Sequence, residues 1–402
     1  MSSRRAVLFA VALCDLAMMC LAIAVNLLPV YLTTLATDLA VDGVPLSAEQ
    51  LGRVGAVTFA GVCAGIFVTG PAADRLGARL FAVGGNVLLA VGLAILGFAP
   101  DYGTVLVASF VMGLGAGALD MILSPIVSAL QPERRTVAMN LLHSFYCTGA
   151  VVTILAGAVA LRWGVGWRAL ALGLLAAPLG VGLCFLFVPL PHLVEGGTDR
   201  TPLGALLRHP FFRVTLVAIF LGGATEIGMA YWLPAYAERS LGYAPWTAGM
   251  AFVGFSVAMA VGRIAIALLP HALSPIALML ACCGASAVLF VVASFAPWSA
   301  VALAACVLSG LTGSCLWPST LAVAADRFPR GGATMFALLA AFGNFGGIFM
   351  PWLVGGVADR SSMRWGLATG TLCPLLMIAA LLWMRRHLRV AGHVESAAAV
   401  AA

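Results

Sequence analysis

Twelve long apolar stretches follow one another along the 402 residues, separated by short polar breaks. They predict membrane spans near 6–35, 48–70, 79–99, 104–129, 136–161, 167–189, 213–237, 247–269, 273–295, 298–325, 332–357 and 365–385. A bilayer core about 30 Å thick is crossed by about 20 helical residues. Apolar residues do not alternate with polar ones, so the pattern of a membrane barrel is absent. Backbone polar groups must then be satisfied inside each segment by helix hydrogen bonds. The predicted fold class is an all-α membrane protein of twelve transmembrane helices.

The longest polar interruption, between Pro189 and Arg213, carries Glu195, Gly196, Gly197, Asp199, Arg200 and Arg208. It divides the chain into a six-helix lobe over 1–189, a cytoplasmic linker over 190–212 and a second six-helix lobe over 213–386. The Ala-rich tail, 387–402, is expected to be disordered. The halves repeat. Leu28-Pro29-Val30-Tyr31 recurs as Leu233-Pro234-Ala235-Tyr236, and Pro132, Phe145 and Gly149 recur at one constant offset as Pro329, Phe342 and Gly346. Two parallel repeats predict pseudo-symmetric lobes with a site at their interface. Runs such as Gly113-Leu114-Gly115-Ala116-Gly117 permit close helix contact.

Composition strengthens this picture. Hydrophobic residues are 62% of the chain and mean hydropathy is +1.08, more apolar surface than a soluble domain hides. The formal charge of +6 does not signal nucleic acid, because the arginines sit in short loops and form no continuous stripe. Fifteen arginines fall on the side of the termini and six on the other, which predicts cytoplasmic termini in a multi-pass protein of the cell's inner membrane. The first span lacks a cleavage signal and is expected to be retained. All ten cysteines fall in spans, without a CxxC pair or ligand-spaced Cys/His set, so no disulfide, metal or bound cofactor is expected. The neighbours Cys282 and Cys283 read as small core residues.

Three acids lie well inside spans: Asp15 in the first, Asp120 in the fourth and Glu226 in the seventh. Each costs at least about 2.5–3.5 kcal/mol on insertion scales, which disfavours a lipid-facing place and suits a proton carrier. Counting from flanking arginines puts Asp15, Asp120 and His143 in the cytoplasmic half of the first lobe, with Asn140, His143 and Cys147 on one helix face. Asp120, His143 and Asn140 form a candidate proton- or hydroxyl-binding patch, or they pin spans 4 and 5 together. Asp15 either joins that patch or bonds Ser and Thr groups across the bundle. Glu226 follows Gly222-Gly223 and precedes Tyr231-Trp232, which suits a hydroxylated ligand or an inter-lobe hydrogen bond. Asn26, Asn344 and Trp317 are further binding candidates. Trp317-Pro318 predicts a kink, and Trp317 stands in the repeat where Asp120 stands in the first half. It either stacks on a sugar or packs in the core.

Between spans 2 and 3 lies Gly70-Pro71-Ala72-Ala73-Asp74-Arg75-Leu76-Gly77-Ala78-Arg79. Gly77 permits a tight turn, and Asp74 is placed to hold one access state closed against a helix N-terminus or an arginine. This loop resembles the signature of the major facilitator superfamily, with Arg79 at its second basic position and Ala78 at its first. The run Gly113 to Asp120, followed by Asn140-Leu141-Leu142-His143-Ser144-Phe145, resembles the fucose–proton symporter and glucose/galactose permease family. Glu226, Trp232, Tyr236 and Gly262-Arg263 fit the same group. The resemblance implies alternating access around a central site, and gives Asp120 the place of an acid linked to substrate and proton.

The function expected is secondary active transport rather than enzyme chemistry: uptake of a small neutral hydroxylated solute such as a sugar, with a proton as coupling ion. The small-molecule substrate and the lipid bilayer are the partners expected of a monomer. Proton-antiport export of drugs or metabolites is the alternative; Gly149 to Gly157 lacks the proline of an exporter signature.

Overall fold

The computed structural model describes residues 3–131, 135–191, 201–268 and 274–401. Twelve helical spans are long and apolar enough to cross a membrane. In chain order they are Arg5–Val30, Ala48–Gly70, Ala78–Gly97, Tyr102–Leu130, Leu141–Arg162, Trp167–Phe187, Pro210–Arg239, Pro245–Ile266, Pro275–Phe295, Ser299–Arg327, Thr334–Arg360 and Met363–Leu388. They form two six-helix lobes, as the repeat predicts.

Local chemistry sets the helix ends. Ser47 and Gln50 make a reciprocal capping box at the start of span 2, and Asp101 accepts from the Thr104 amide at the start of span 4. Pro210 and Pro275 open spans 7 and 9, at positions where a missing N–H costs nothing. Three prolines break helices by withholding the N–H that would bond four residues back. The breaks fall at Leu175 before Pro178, at Ser314–Cys315 before Pro318, and in a short 3-10 turn, Thr369–Thr371, before Pro374. The predicted kink in span 10 therefore exists, a turn ahead of its proline.

Glycines set the closeness of packing inside each lobe. Gly61 and Gly65 of span 2 lie against the backbone of span 4, and Gly113 and Gly117 of span 4 lie against the Thr58 and Val62 carbonyls of span 2. The interface is a pair of Gly-x-x-x-Gly faces in mutual backbone contact. In the second lobe Gly310 meets Phe255 in the corresponding way. The repeat also holds between spans 5 and 1, where Gly149 packs on Met19, and between spans 11 and 7, where Gly346 packs on Ala224. The repeated tyrosines are fully buried, and each donates to a carbonyl of its own lobe: Tyr31 to Val165 at 3.2 Å and Tyr236 to Ala293 at 2.6 Å.

The structure departs from the sequence reading at three boundaries. Helix 48–76 runs through most of the predicted loop after span 2, leaving Gly77 as the single non-helical residue, at φ +82°. Span 7 begins at Pro210, and the linker holds a short helix, Leu203–Arg208; residues 192–200 lie outside those described. The last helix continues to Ala401 through the stretch expected to be disordered, as its Ala content favours.

A test of the glycine seam is Gly113→Val, which places side-chain atoms against the Thr58 carbonyl. Thermal unfolding of the purified protein in detergent should show a loss of about 1–3 kcal/mol, the usual cost of overpacking. Gly84→Val, at a position with open space around it, should leave the melting temperature near that of the parent.

Candidate functional site

The ionisable residues inside the bundle gather where the lobes meet. Glu226 of span 7 and Arg263 of span 8 form an ion pair, Arg263 Nη2 donating to Glu226 Oε1 at 3.3 Å. Arg263 also reaches into the first lobe, where its Nη1 lies 3.3 Å from Cys147 Sγ of span 5. Its remaining contact is Met259 Sδ at 3.7 Å. One carboxylate oxygen and two sulfurs are weak company for a guanidinium with five donors. Among the described residues, buried Arg263 Nε and Glu226 Oε2 have no hydrogen-bond partner. The break in span 10 lies alongside: Gly313 packs on Glu226, and Gly262 next to Arg263 packs on Ser314.

Asp120 and His143 are electrostatic neighbours between spans 4 and 5, and His143 also feels the charge of Arg263. Tyr146, between them and Glu226, has its hydroxyl in contact with the Asn26 side chain of span 1. Asn26 itself donates to the Ala22 carbonyl at 2.8 Å. The polar centre thus runs from Asp120 through His143 to Arg263 and Glu226, with Tyr146 and Asn26 at its side. It draws on spans 1, 4 and 5 of one lobe and 7 and 8 of the other.

Access follows from one helix face. Cys147, Ala150 and Ile154 of span 5 are buried, and His143 continues the same stripe one turn away, yet is exposed. The lobes are closed on each other above His143 and apart at its level. Spans 2 and 11 stay in contact further along: Gly52 meets the Pro351 carbonyl, Gly347 meets Phe59, Cys63 Sγ lies 3.7 Å from the Ala341 carbonyl, and the half-exposed Phe67 ring lies 6.4 Å from that of Phe345.

The closed end is held by hydrogen bonds between lobes. The Asp359 carboxylate, at the end of span 11, accepts from the amides of Ala48 and Glu49 at 2.7 Å each and so caps span 2 from the opposite lobe. Glu49 pairs with Arg53 at 2.7 Å and accepts from Trp352 Nε1 at 2.8 Å. Tyr231 donates to the Leu51 carbonyl at 2.6 Å and fills the space over Gly55.

Several predicted site residues are therefore placed elsewhere. Tyr231 is a buried part of the inter-lobe seal. Trp232 is fully buried and donates to the Pro351 carbonyl at 3.1 Å, so its ring serves the second lobe's packing. Trp317 is seated against Gly343 of span 11 and Gly223 of span 7, the core-packing alternative. Asn344 bonds its own helix at the Ala340 carbonyl, 2.9 Å away. Asp15 is buried, and among the described residues its Oδ1 has no hydrogen-bond partner. In the gating segment Gly70 remains helical, Gly77 makes the turn, and Arg79 donates to the Val188 carbonyl of its own lobe at 2.9 Å. The side chains of Asp74, Arg75 and Asn140 lie outside those described.

Sequence reasoning named Arg263 only within the family resemblance and missed Tyr146 and Asp359. Arg263 was counted with the loop arginines, which leaves fourteen against six once it is moved into span 8. Its distance from any loop signal was legible. Asp359 also had a signal: Gly355-Gly356-Val357-Ala358-Asp359-Arg360 shares its Gly-x-x-Ala-Asp-Arg spelling with Gly70 to Arg75. Among the described residues no group of His, Cys, Asp or Glu is arranged to hold a metal ion.

Two six-helix lobes around a charged centre, sealed at one end, define a membrane transporter rather than an enzyme. The chain belongs to the Major Facilitator Superfamily, whose sequence model matches residues 14–306 and 241–400. It is 27% identical over 340 residues to a protein named a putative niacin/nicotinamide transporter of Bacillus subtilis, covering 78% of this chain and 81% of that one. Its fold is like that of a bacterial homologue of the human lysosomal transporter Spinster in an inward-facing, occupied conformation, with TM-score 0.74, 13% identity and 94% and 96% of the two chains covered. It is also like the transporter FucP in the outward conformation, with TM-score 0.66, 19% identity and coverage of 94% and 99%.

The seal gives a direct test. Asp359→Asn should weaken the cap of span 2 by about 0.5–2 kcal/mol, the usual value of a helix cap. Hydrogen–deuterium exchange should then quicken at the Ala48 and Glu49 amides, while exchange in the core of span 4 stays unchanged.

Proposed function

We propose that this transporter works by alternating access and couples the inward movement of a small polar solute to protons. The observation that carries the proposal is the meeting of Asp120, His143, Arg263 and Glu226 at the depth where the two lobes part. Charged groups inside a bundle face its interior or a wet path, and they mark proton and substrate routes in membrane proteins. With the termini in the cytoplasm, as the arginine bias argues, the sealed end faces outward and His143 opens inward. One chain completes the site, so a monomer suffices.

In this reading Asp120 and His143 are the proton-handling pair, and the Glu226–Arg263 pair lies across the solute's path. Release of the Asp359 cap and the Tyr231 hydrogen bond would open the other end. A neutral hydroxylated solute such as a sugar was the narrower expectation. Tyr231, Trp232 and Trp317, the rings meant to stack on it, are engaged in packing, so recognition falls to the polar groups. The relative's name, with niacin or nicotinamide in it, supports a small polar solute.

A thermal-shift screen of the purified protein against sugars, polyols, organic acids and common drugs identifies a ligand, because binding raises apparent stability. Uptake of that ligand into proteoliposomes should then follow an imposed pH gradient; uptake indifferent to the gradient removes the coupling. Asp120→Asn should reduce gradient-driven accumulation to background and leave solute exchange largely intact. Normal accumulation by this variant would remove Asp120 from the proton route.

A further inference from the structure

Arg263 is the best-placed cation in the bundle and the least satisfied. Three observations concern it. Its carboxylate partner is 3.3 Å away, longer than the 2.7–2.9 Å of a strong charge-assisted bond. Its other neighbours are the sulfurs of Cys147 and Met259. Its Nε and the second oxygen of Glu226 are buried without partners. A guanidinium in that state has unused donors in a planar fork, the geometry that binds a carboxylate or similar planar anion two-fold.

From this geometry we propose that Arg263 is the binding residue for a small monoanionic solute, carboxylate-like in shape, and that Glu226 is the internal anion it displaces. This rests on the transport reading above and names its substrate class. A proton added to the Glu226 carboxylate removes its negative charge and frees Arg263; the solute's anionic group then takes the vacated place. Loss of the solute lets Glu226 release its proton and pair again. One proton and one monoanion move together, so the step carries no net charge. Because Arg263 also touches Cys147 of the other lobe, the exchange takes place at the contact between lobes.

Several charged and titratable groups lie around Glu226, and span 1, which also packs on span 7, carries the buried Asp15. Span 8 brings Arg263, and span 5 brings Tyr146, Cys147 and, further along, His143 with its neighbour Asp120 of span 4. Spans 10, 11 and 12 pack on this part of span 7 through Gly313, Gly347 and Met377, none of which titrates. A pH response that survives removal of the Glu226 charge therefore belongs to another buried group: His143, Asp120 or Asp15.

The test uses the full chain in detergent and simple probes: sodium acetate, benzoate and nitrate, against acetamide and benzamide, at constant sodium chloride. Glu226→Gln should be stabilised saturably by the anions and not by the amides. Its midpoint should lie on the order of tenfold or more below that of the parent at pH 8, the size expected when a buried cation loses its competing charge. The parent should approach the same midpoint at pH 5.5, whereas Glu226→Gln should change little with pH. The double variant Glu226→Gln/Arg263→Gln, which removes the pair together, should lose the anion response. Should the single variant fail to fold, the pH series of the parent set against the double variant decides in its place. Indifference of Glu226→Gln to every anion, or an equal response from the double variant, overturns the proposal. Proton-driven uptake of a neutral ligand would overturn it too, while leaving the transport reading in place.

Discussion

Desolvated charge is the constraint on which the arrangement of this protein turns. An arginine and an acid inside an apolar bundle are tolerable only together and away from acyl chains. Glu226 and Arg263 meet this condition at the lobe interface, and spans 7, 8 and 10 are shaped around them. Their pairing is incomplete, with one unpartnered atom on each side. An incomplete pair leaves a cation that can change partners. A fully satisfied pair would be fixed, and removing either member would leave a stranded charge.

Close backbone contact through glycine is used both within and between the lobes. Within lobes, spans 2 and 4 lie backbone to backbone through paired glycines, and a methyl group at Gly113 would already collide with Thr58. Such contacts favour motion of each lobe as a body. Between lobes the same close approach recurs, with Gly52 against the Pro351 carbonyl and Gly355 against the Ala48 carbonyl. The seal adds directional hydrogen bonds to it: two amides on Asp359, one tyrosine hydroxyl on Leu51 and one indole on Glu49. These bonds can be exchanged for water when the end opens.

Much of this was legible in the chain. Twelve spans, two lobes, the central acids and the turn at Gly77 follow from hydropathy, repetition and one glycine. What was not legible depends on rotation about the helix axis and on helix partners. Tyr231 and Trp232 are adjacent in sequence and aromatic, but one points across the lobe seam and the other into its own lobe. Arg263 was legible as a residue of span 8, and only the path of that helix places it beside Glu226. Trp317 lost its apparent freedom to Gly343, a residue 26 positions away in another helix.

The span 2 cap has a consequence of its own. Asp359 sits at the last turn of span 11, and its carboxylate adds two acceptors to the capping box that Ser47 and Gln50 build locally. Whenever the two lobes part at this end, two amides of Ala48 and Glu49 lose their acceptor. The local box remains, with the Ser47 hydroxyl 3.2 Å from the Gln50 amide and the Gln50 side chain accepting from the Ser47 amide at 2.8 Å. Protection of these two amides is thereby tied to closure, so looser hydrogen bonding in the first turn of span 2 would mark the open state without any probe attached to the substrate path.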